Sequence, residues 1–546
     1  MNNQKEFIQK SKKPIFAYFT ILITINLLII SFYVGIYFLL ETKLFVYSFC
    51  QLFLMQITSP VYVKCILDAI GGIFYWKKTM NSHLTIISNT KLDKKNLPWV
   101  AIVVPVFNDF MPNEIEFTFN QKYPKIRKYI LDDSTKEDIK KQVDDFAKKH
   151  NVVVLRSSNW RKEYYGKNGL SRAFDYFINK TKGQWDYMIH VDSGDVLMPD
   201  HAIKAVKLFE SNCFNNLGVI CINYKAIKLK NKIQNLLGVL NDNSMAPTYL
   251  FASKYGNFLM PGAGVVYKSE CIYKAKEWPN TQCEDGAMSY KILQLGYSNM
   301  WTNSTCYGER QPLTIAAHLK RIFRISCGTC WMIKDKFIHF KQKKDIGTTL
   351  NMMPTFWWPV MSCFLLIIFF LFPIIGIFVP FNTPKTNQYF VILVSCLFLV
   401  GFLISYLSTF FYSIYLLIKG NQYFWAPFVN VVLSPILMFI ACFSVIKVFI
   451  LKKQNNFVIT QKTKSTNKIN KNGLLLFISL LVLTLIILAL FLLGIFFLNF
   501  HSIVNAGIFY FFFSFLLTQL IASTLLSASV FAKDKSSEIK KIELIY

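Results

Sequence analysis

The chain has 546 residues, of which 53% are hydrophobic and 17% are charged, and its formal net charge at pH 7 is +29. This composition is too apolar for an ordinary soluble protein. The basic loops should report the orientation of a membrane protein, and we expect no nucleic-acid partner.

Six charge-free runs each reach the length of roughly 20 residues that crosses a bilayer. Soluble helices need a polar face, which these runs lack, so we predict that they are membrane spans and that the lipid bilayer is a partner. The runs are Pro14–Leu40, Leu44–Val63, Thr355–Pro380, Thr386–Ile418, Gly473–Phe500 and Ile503–Phe531.

The lysine-rich N-terminus predicts a cytoplasmic start, so two spans return the chain to the cytoplasm. Segment 422–451 is harder to place. If it crossed the membrane, the loop 452–472, which has six lysines from Lys452 to Lys471 and no acid, would lie outside, against the positive-inside rule. We therefore predict an interfacial or re-entrant element, a multi-pass cell-membrane protein and a cytoplasmic catalytic domain.

Twelve cysteines are scattered along the chain and do not form a disulfide framework. Cys327 and Cys330 have CxxC spacing, which is typical of redox or zinc sites. A single CxxC without a second pair is weak support for either site, so we interpret these residues as buried thiols.

Between about 77 and 345 the apolar runs give way to alternating strand and helix patterns. This alternation predicts one α/β domain with a mostly parallel, helix-covered sheet. Ser134 and Glu137 have the spacing of a capping box and predict the start of a helix. The predicted strands are Trp99–Val106, Lys128–Leu131, Val152–Leu155, Tyr187–Val191 and Val219–Ile222, and the predicted helices include 169–180 and 199–210.

Acidic residues follow three of these strands. In such sheets ligands bind outside the carboxyl ends of the strands, so the acids should share one edge. They could bind a divalent cation, with His190 nearby as a packed histidine. The pairs are Asn108 and Asp109, Asp132 and Asp133, and Asp192 and Asp195.

These motifs resemble glycosyltransferase family 2, whose nucleotide-binding fold is called GT-A. "VPVFND" resembles the family's opening strand and turn, "ILDDST" its uridine-binding turn, "HVDSGDVLMPD" its DxD metal motif, and "QCEDGAMSYKILQLGY" the segment of the catalytic base. The resemblance implies an α/β GT-A (Rossmann-like) cytosolic domain inserted between α-helical transmembrane segments.

The resemblance also implies roles for individual residues. Asp285, after Glu284, would be the catalytic base, and Asp192 and Asp195 would hold Mg²⁺ or Mn²⁺ against the diphosphate. The nucleotide sugar would be bound by Asn108, Asp109, Asp132, Asp133, Lys167, Arg321, Arg324, Thr460 and Lys462.

Two further segments are similar to processive membrane synthases. "KRIFRI" is similar to an amphipathic helix with a Q/R-x-x-R-W motif, and "NNFVITQKTKS" resembles the gating loop of cellulose synthases. The blocks around "KNGLSRAF" and "RQP" look closest to periplasmic-glucan glucosyltransferases, and hyaluronan synthases are more distant. The implied activity is polymerisation of a hexose from a UDP-sugar, UDP-glucose above all, into a β-linked glucan-like polysaccharide.

The sequence departs from the family pattern at two places. Gly194 stands where the second DxD aspartate would be, so either Asp195 replaces it or metal binding is weakened or lost. Ile325 stands where a tryptophan would stack on the acceptor sugar, and Trp301 and Trp331 are candidates to replace it. Other candidates to line a glycan channel are Trp357, Trp358, Trp425 and Tyr406.

The alternatives are a non-processive transferase that makes a glycolipid and an inactive transferase-like polysaccharide transporter. The predicted layout is two spans in 1–76, the transferase domain in 77–305, interfacial helices in 306–350, two spans in 351–421, the interfacial or re-entrant helix 422–451, the gating loop 452–472, two spans in 473–532 and a cytosolic tail in 533–546.

Overall fold

The computed structural model describes most of the predicted transferase domain and parts of the apolar regions. Described are 13–39, single positions between 48 and 69, 76–156 and 158, 169–241 except 212 and 215, 262–334, 358–364, 407–452 except 427 and 428, 471–497, single positions between 517 and 524, and 542–545.

The centre of the fold is an eight-stranded sheet with strand order β3-β2-β1-β4-β7-β6-β8-β5. The strands are β1 Val100–Val106, β2 Ile126–Asp132, β3 Val153–Arg156, β4 Tyr187–His190, β5 Val196–Leu197, β6 Leu217–Ala226, β7 Val266–Lys268 and β8 Ser298–Glu309. Strands β5 and β7 run antiparallel to their neighbours, and the other pairs are parallel. The sheet is therefore mixed, although the six longer strands share one direction.

Helices cover both faces of the sheet in the predicted domain. Over all the described residues, the helices with assigned bounds are α1 Lys13–Leu39, α2 Trp76–Asn89, α3 Pro112–Phe119, α4 Glu137–His150, α5 Gly169–Lys180, α6 His201–Glu210, α7 Ser269–Ala275, α8 Glu284–Gln294, α9 Ile315–Lys334, α10 Leu407–Ile418, α11 Val429–Val445 and α12 Lys471–Phe497. A π-helical turn, Ile446–Ile450, follows α11 directly.

Strand β1 shows how the two apolar layers form. Its side chains alternate, so Ala101 and Val103 lie in one buried cluster with Phe174 and Phe177 of α5. Val100, Ile102 and Val104 lie in the other cluster, with apolar side chains of α3, α4 and α6. The strand is buried on both faces, which explains its continuous β-branched sequence.

The carboxyl ends of the parallel strands meet at one edge of the sheet. Val106, the last residue of β1, pairs with Asp132, the last residue of β2, and His190 ends β4 on the other side of β1. Strand β6 ends beside β8, where Ala226 pairs with Glu309. The predicted clustering of acids at this edge is thus a direct consequence of strand direction.

The described ranges contain parts of the predicted membrane regions. Within the described ranges, no helix combines the length and the hydropathy of a membrane span. Long parts of the predicted spans, including 365–406 and 498–516, lie outside those ranges.

Candidate active site

Glu284 and Asp285 form the first turn of α8. The Gly286 N–H donates to Asp285 Oδ1 over 2.7 Å. The other carboxylate oxygen faces Gly262, where a Cβ atom would lie only 2.7 Å from Asp285 Oδ2. The close approach of backbone to carboxylate requires glycine at position 262.

Burial raises the proton affinity of both acids. Burial raises the pKa of Glu284 to about 8, and the neighbouring Asp285 charge adds to the shift while Arg324 opposes it. Burial also raises the pKa of Asp285, and the Gly286 N–H and Arg324 limit that rise. Within the described ranges Glu284 Oε2 is buried with no hydrogen-bond partner. Acids whose pKa values are raised by burial are suited to general acid–base chemistry.

Two arginines of α9 approach the site from above this pair. Arg321 and Arg324 are three residues apart and therefore lie on one side of the helix. Arg321 Nη2 contacts Glu309 Oε1 at 2.6 Å, and its charge also interacts with Asp195 and Asp192. The binding of a donor diphosphate by these arginines stays a prediction.

The turn after β4 presents Asp192 at the edge of the sheet. The Asp192 side chain is 48% exposed, and its Oδ1 lies 3.3 Å from His190 Nε2. His190 Nδ1 lies 3.0 Å from the Gly262 carbonyl oxygen, and the ring packs edge-on against Phe174. His190 is therefore packed, as the sequence suggested, and it also connects Asp192 to the backbone beside Asp285.

Asp195 lies deeper than Asp192 and has different partners. It is 1% exposed; its Oδ2 accepts from the Tyr307 hydroxyl at 2.7 Å and its Oδ1 from the Arg310 N–H at 2.8 Å. Both carboxylate oxygens thus hold the end of β8. This arrangement favours a structural role for Asp195 over the metal role that the sequence predicted.

Gly194 has a physical reason to lack an acidic side chain. Its φ of +84° is unfavourable for residues with a Cβ atom, and a Cβ atom there would lie 2.5 Å from Met111 Sδ. An aspartate at 194 would need a different turn and a displaced Met111. The departure from DxD is therefore built into the backbone of this turn.

The metal-binding capacity of the described residues is small. No group of three or more His, Cys, Asp or Glu side chains among them is arranged to hold a metal ion. Cys327 and Cys330 are buried together with Val448, in agreement with the interpretation as buried thiols. Mg²⁺ is commonly held by only one or two carboxylates together with substrate phosphates and waters. The half-exposed Asp192 carboxylate fits such a shared ion, whereas the Asp195 carboxylate does not.

Farther along the same edge of the sheet, Asn108 connects the turn after β1 to the turn after β2. Its φ is +56°, and its Oδ1 accepts from the Thr135 and Lys136 N–H groups at 3.0 and 3.1 Å. The predicted capping box was wrong: α4 begins at Glu137 with no side-chain cap, and Ser134 Oγ instead accepts from the Asn108 N–H. Asn108, rather than Ser134, therefore accepts hydrogen bonds from the N–H groups that precede the helix.

Asp109 and the acids after β2 complete this side. Asp109 Oδ1 accepts from the Phe107 N–H, and its carbonyl oxygen accepts from Ser193 Oγ at 2.6 Å. Asp132 is 2% exposed; its Oδ1 accepts from the Ser134 N–H, and its Oδ2 lies 3.5 Å from Arg156 Nε. Asp133 faces the start of α5, because a Cβ atom at Gly169 would lie 3.1 Å from Asp133 Oδ2.

Sequence reasoning missed three residues that build the site. Glu114 of α3 and Arg310 form a buried ion pair beneath the Asp192–Asp195 turn, and Tyr307 supports the same turn from β8. An acid in the first turn of a short helix is expected for dipole reasons alone, so Glu114 gave no signal. Only the three-dimensional structure brings it to Arg310, 196 residues away.

Some predicted residues cannot be placed. Lys167, Thr460, Lys462, Trp357 and Tyr406 lie outside the described residues. Of the aromatic candidates, Trp301 is 1% exposed inside the core, Trp331 lies under the Lys334 ammonium at 4.1 Å, Trp358 is partly buried and Trp425 is 46% exposed. The burial of Trp301 removes it as a stacking surface for an acceptor sugar.

A family model matches part of the chain. Residues 101–268 match the family model described as "Glycosyl transferase family 2". This segment contains the three turns of the sheet edge and ends before Glu284. The matched segment is therefore similar to a family 2 glycosyltransferase domain. No curated protein matches the sequence.

Several solved structures have a distantly similar fold. The mannosyltransferase PcManGT from Pyrobaculum calidifontis, in complex with GDP-Man and Mn²⁺, is 12% identical over 68% of this chain and 97% of its own, with a TM-score of 0.41. TarS from S. aureus is 12% identical over 57% and 54%, with a TM-score of 0.29. Glucosyl-3-phosphoglycerate synthase from Mycobacterium tuberculosis, with Mn²⁺ and UDP, is 14% identical over 43% and 76%, with a TM-score of 0.28.

Proposed function

We propose that this family 2 glycosyltransferase domain transfers a hexose from a UDP-sugar to an acceptor hydroxyl, with inversion at the anomeric carbon and Asp285 as the base. The observation that carries the proposal is the Glu284–Asp285 pair at the strand-end edge, with pKa values raised by burial and with Arg324 beside it. A single displacement needs one proton acceptor and no carboxylate nucleophile.

We assign the two acids different roles. Burial raises the pKa of Glu284 to about 8. Asp285 stands at the position that the family resemblance gives to the base, and it is the carboxylate proposed to accept the proton. The acceptor oxygen gives its proton to Asp285 and bonds to the anomeric carbon. The bond between that carbon and the diphosphate oxygen breaks, and UDP leaves with the bonding electrons.

The departing diphosphate needs compensation for its negative charge. Arg321 and Arg324 face the site from α9 and are the described cations proposed for this role. Asp192 is the proposed ligand for Mg²⁺ or Mn²⁺, and an ion bound there would neutralise diphosphate charge. Lys167, Thr460 and Lys462 stay in the proposal from the family resemblance alone.

The uridine end of the donor is proposed to bind at the β1–β2 side of the edge. There Asn108 and Asp109 fix one turn, and Asp132 fixes the next through the Ser134 N–H and Arg156. Asp133 is only partly buried, and its carboxylate is the proposed acceptor for base N–H or ribose hydroxyl groups.

For the whole chain, we propose a multi-pass membrane synthase that polymerises glucose from UDP-glucose and moves the glucan across the membrane. The charge-free runs of the sequence and the arginine pair on α9 support this proposal. A non-processive glycolipid-forming enzyme would use the same chemistry and differ only in product length. An inactive transferase-like transporter would release no UDP.

The test is to incubate membranes containing the chain with radiolabelled UDP-glucose, other UDP-hexoses and GDP-mannose. We expect UDP release and a labelled polymer from one UDP-sugar, and neither from the Asp285→Asn variant. A labelled lipid of one sugar would replace polymerisation by glycolipid synthesis. Absence of nucleotide release from every donor would overturn the proposed activity.

A further inference from the structure

Residues 542–545, which follow the last apolar run by some ten residues, lie against the transferase sheet. Ile227, just after β6, forms an antiparallel bridge with Leu544. Backbone hydrogen bonds flank this bridge: the Lys228 N–H donates to the Glu543 carbonyl at 2.7 Å, and the Ile545 N–H donates to the Ala226 carbonyl at 2.9 Å. This short segment therefore pairs with the backbone at the end of β6.

Side chains fix the segment as well. Ile545 is 9% exposed and belongs to the larger apolar core of the domain. Leu544 lies against Gly308 of β8, where a Cβ atom would be 2.7 Å from Leu544 Cδ2 and 2.6 Å from Val196 Cγ2. Gly308 is thus held between β5 and residue 544, with no room for a side chain.

The two residues that follow Gly308 contact side chains of the candidate site. Glu309 contacts Arg321, the arginine proposed for the diphosphate, and the Arg310 N–H donates to Asp195. Arg310 also forms the buried pair with Glu114. Leu544 therefore packs on the strand end from which the Arg321 guanidinium and the Asp192–Asp195 turn are positioned.

We propose that residues 542–545 act as a strap that holds the end of β8, and that Leu544 is a positioning residue for donor binding. The inference rests on the proposed function, because it assigns Arg321 to the donor diphosphate. If residues 542–545 detached from β8, the Glu309–Arg321 contact and the Asp195 turn would be free to move. Donor affinity should then fall more than the turnover of bound donor.

The test uses the full chain with Leu544→Asp, which places a charge against Gly308 and Val196. We expect KM for the UDP-sugar to rise about tenfold, a cost of about 1.4 kcal/mol in binding, with a smaller change in kcat. Leu544→Ile, which keeps an apolar side chain at this position, should have a KM close to that of the unsubstituted chain. Glu543→Gln is the matched control, since its ion pair with Lys228 is exposed on both sides and should change KM less than about twofold.

A synthetic peptide of residues 540–546 provides the rescue. Added to the Leu544→Asp variant, it should lower KM again, whereas a scrambled peptide should not. Hydrogen exchange of the 298–311 peptide gives a readout independent of activity, and it should be faster in Leu544→Asp than in Glu543→Gln. Equal exchange and equal KM in all variants would overturn the strap. Faster exchange with no transfer by the unsubstituted chain would keep the strap and remove the proposed function.

Discussion

The acids on the two sides of the candidate site have opposite electrostatic surroundings. After β2, Asp132 is compensated: one oxygen accepts a backbone N–H, and the other faces Arg156. On α8, Glu284 and Asp285 are neighbours and are partly buried, and their pKa values are raised. The first arrangement stabilises fixed charges, and the second makes proton uptake easy.

This difference separates binding from chemistry within one sheet edge. A carboxylate whose oxygens are held by an N–H group and an arginine is a fixed part of the fold. An acid with a raised pKa can take a proton during a reaction and give it back afterwards. Our proposal that the donor binds at the β1–β2 side and that the reacting hydroxyl lies at the α8 side can be tested with variants that each change one side.

The largest expected effect is on the α8 side. Asp285→Asn removes the carboxylate that accepts the acceptor proton, and sugar transfer should fall by about 10²- to 10⁴-fold, the range of general-base catalysis. Transfer is measured as labelled product per unit of membrane-inserted protein. Asp132→Asn is the matched control, with an expected loss mainly in donor affinity. If transfer survives in Asp285→Asn, the base lies elsewhere.

A second prediction separates the two aspartates of the β4 turn. Asp192→Asn should raise the Mn²⁺ concentration needed for half-maximal activity by about 10- to 100-fold, as changes around a metal ligand commonly do. A chelator should stop transfer by the unsubstituted chain, and added Mn²⁺ or Mg²⁺ should restore it.

Asp195→Asn provides the contrast for that experiment. It should leave the metal requirement near that of the unsubstituted chain, because Asp195 bonds to Tyr307 and Arg310. Its cost should be in stability, by roughly 2 kcal/mol for weakened bonds to a buried charge. A shifted metal requirement in Asp195→Asn alone would return the metal role to that residue.

The sequence was informative wherever local pattern and strand direction decide the outcome. The β-branched run of β1 is buried along almost its whole length, and its predicted start differs from the observed one by a single residue. Strand β2 is longer than predicted: the pattern gave Lys128–Leu131, whereas the strand spans Ile126–Asp132 and its first three residues are only partly buried. The spacing of Arg321 and Arg324 on one helix was readable for the same reason. These features depend on neighbours in the chain.

Features decided by distant contacts were not readable. Strand β8 is rich in Ser, Thr and Asn, and it is buried only because β6 lies beside it. The Glu114–Arg310 pair and the partners of Asp195 join segments far apart in sequence. Ser134 and Glu137 satisfied a local capping rule, but Asn108 from another turn supplies the bonds instead.

A third prediction concerns the pH dependence of stability on the α8 side. Because the pKa of Glu284 is raised to about 8, the folded chain binds more protons than the unfolded chain between the ordinary glutamate range and about pH 8. Stability should fall as pH rises through that window, with a slope of at most about 1.4 kcal/mol per pH unit for one proton. Glu284→Gln should remove this slope and raise Tm at pH 8. Glu137→Gln, at an exposed side chain, is the control.

The smallest effect is expected on the β1–β2 side. Asn108→Ala removes the acceptor for the Thr135 and Lys136 N–H groups, and the domain should lose about 1 kcal/mol, as is usual for a lost helix cap. Thermal unfolding of the purified chain measures this loss.

The comparison of the two sides also fixes how that variant should behave in catalysis. Asn108 bonds to the turn that leads from Asp132 into α4, so its loss should raise KM for the donor and leave the pH profile of kcat unchanged. Ser134→Ala should have a similar but weaker effect, because it accepts only the Asn108 N–H. A shifted pH profile in Asn108→Ala would mean that the two sides are coupled. The separation of binding from proton transfer would then be wrong.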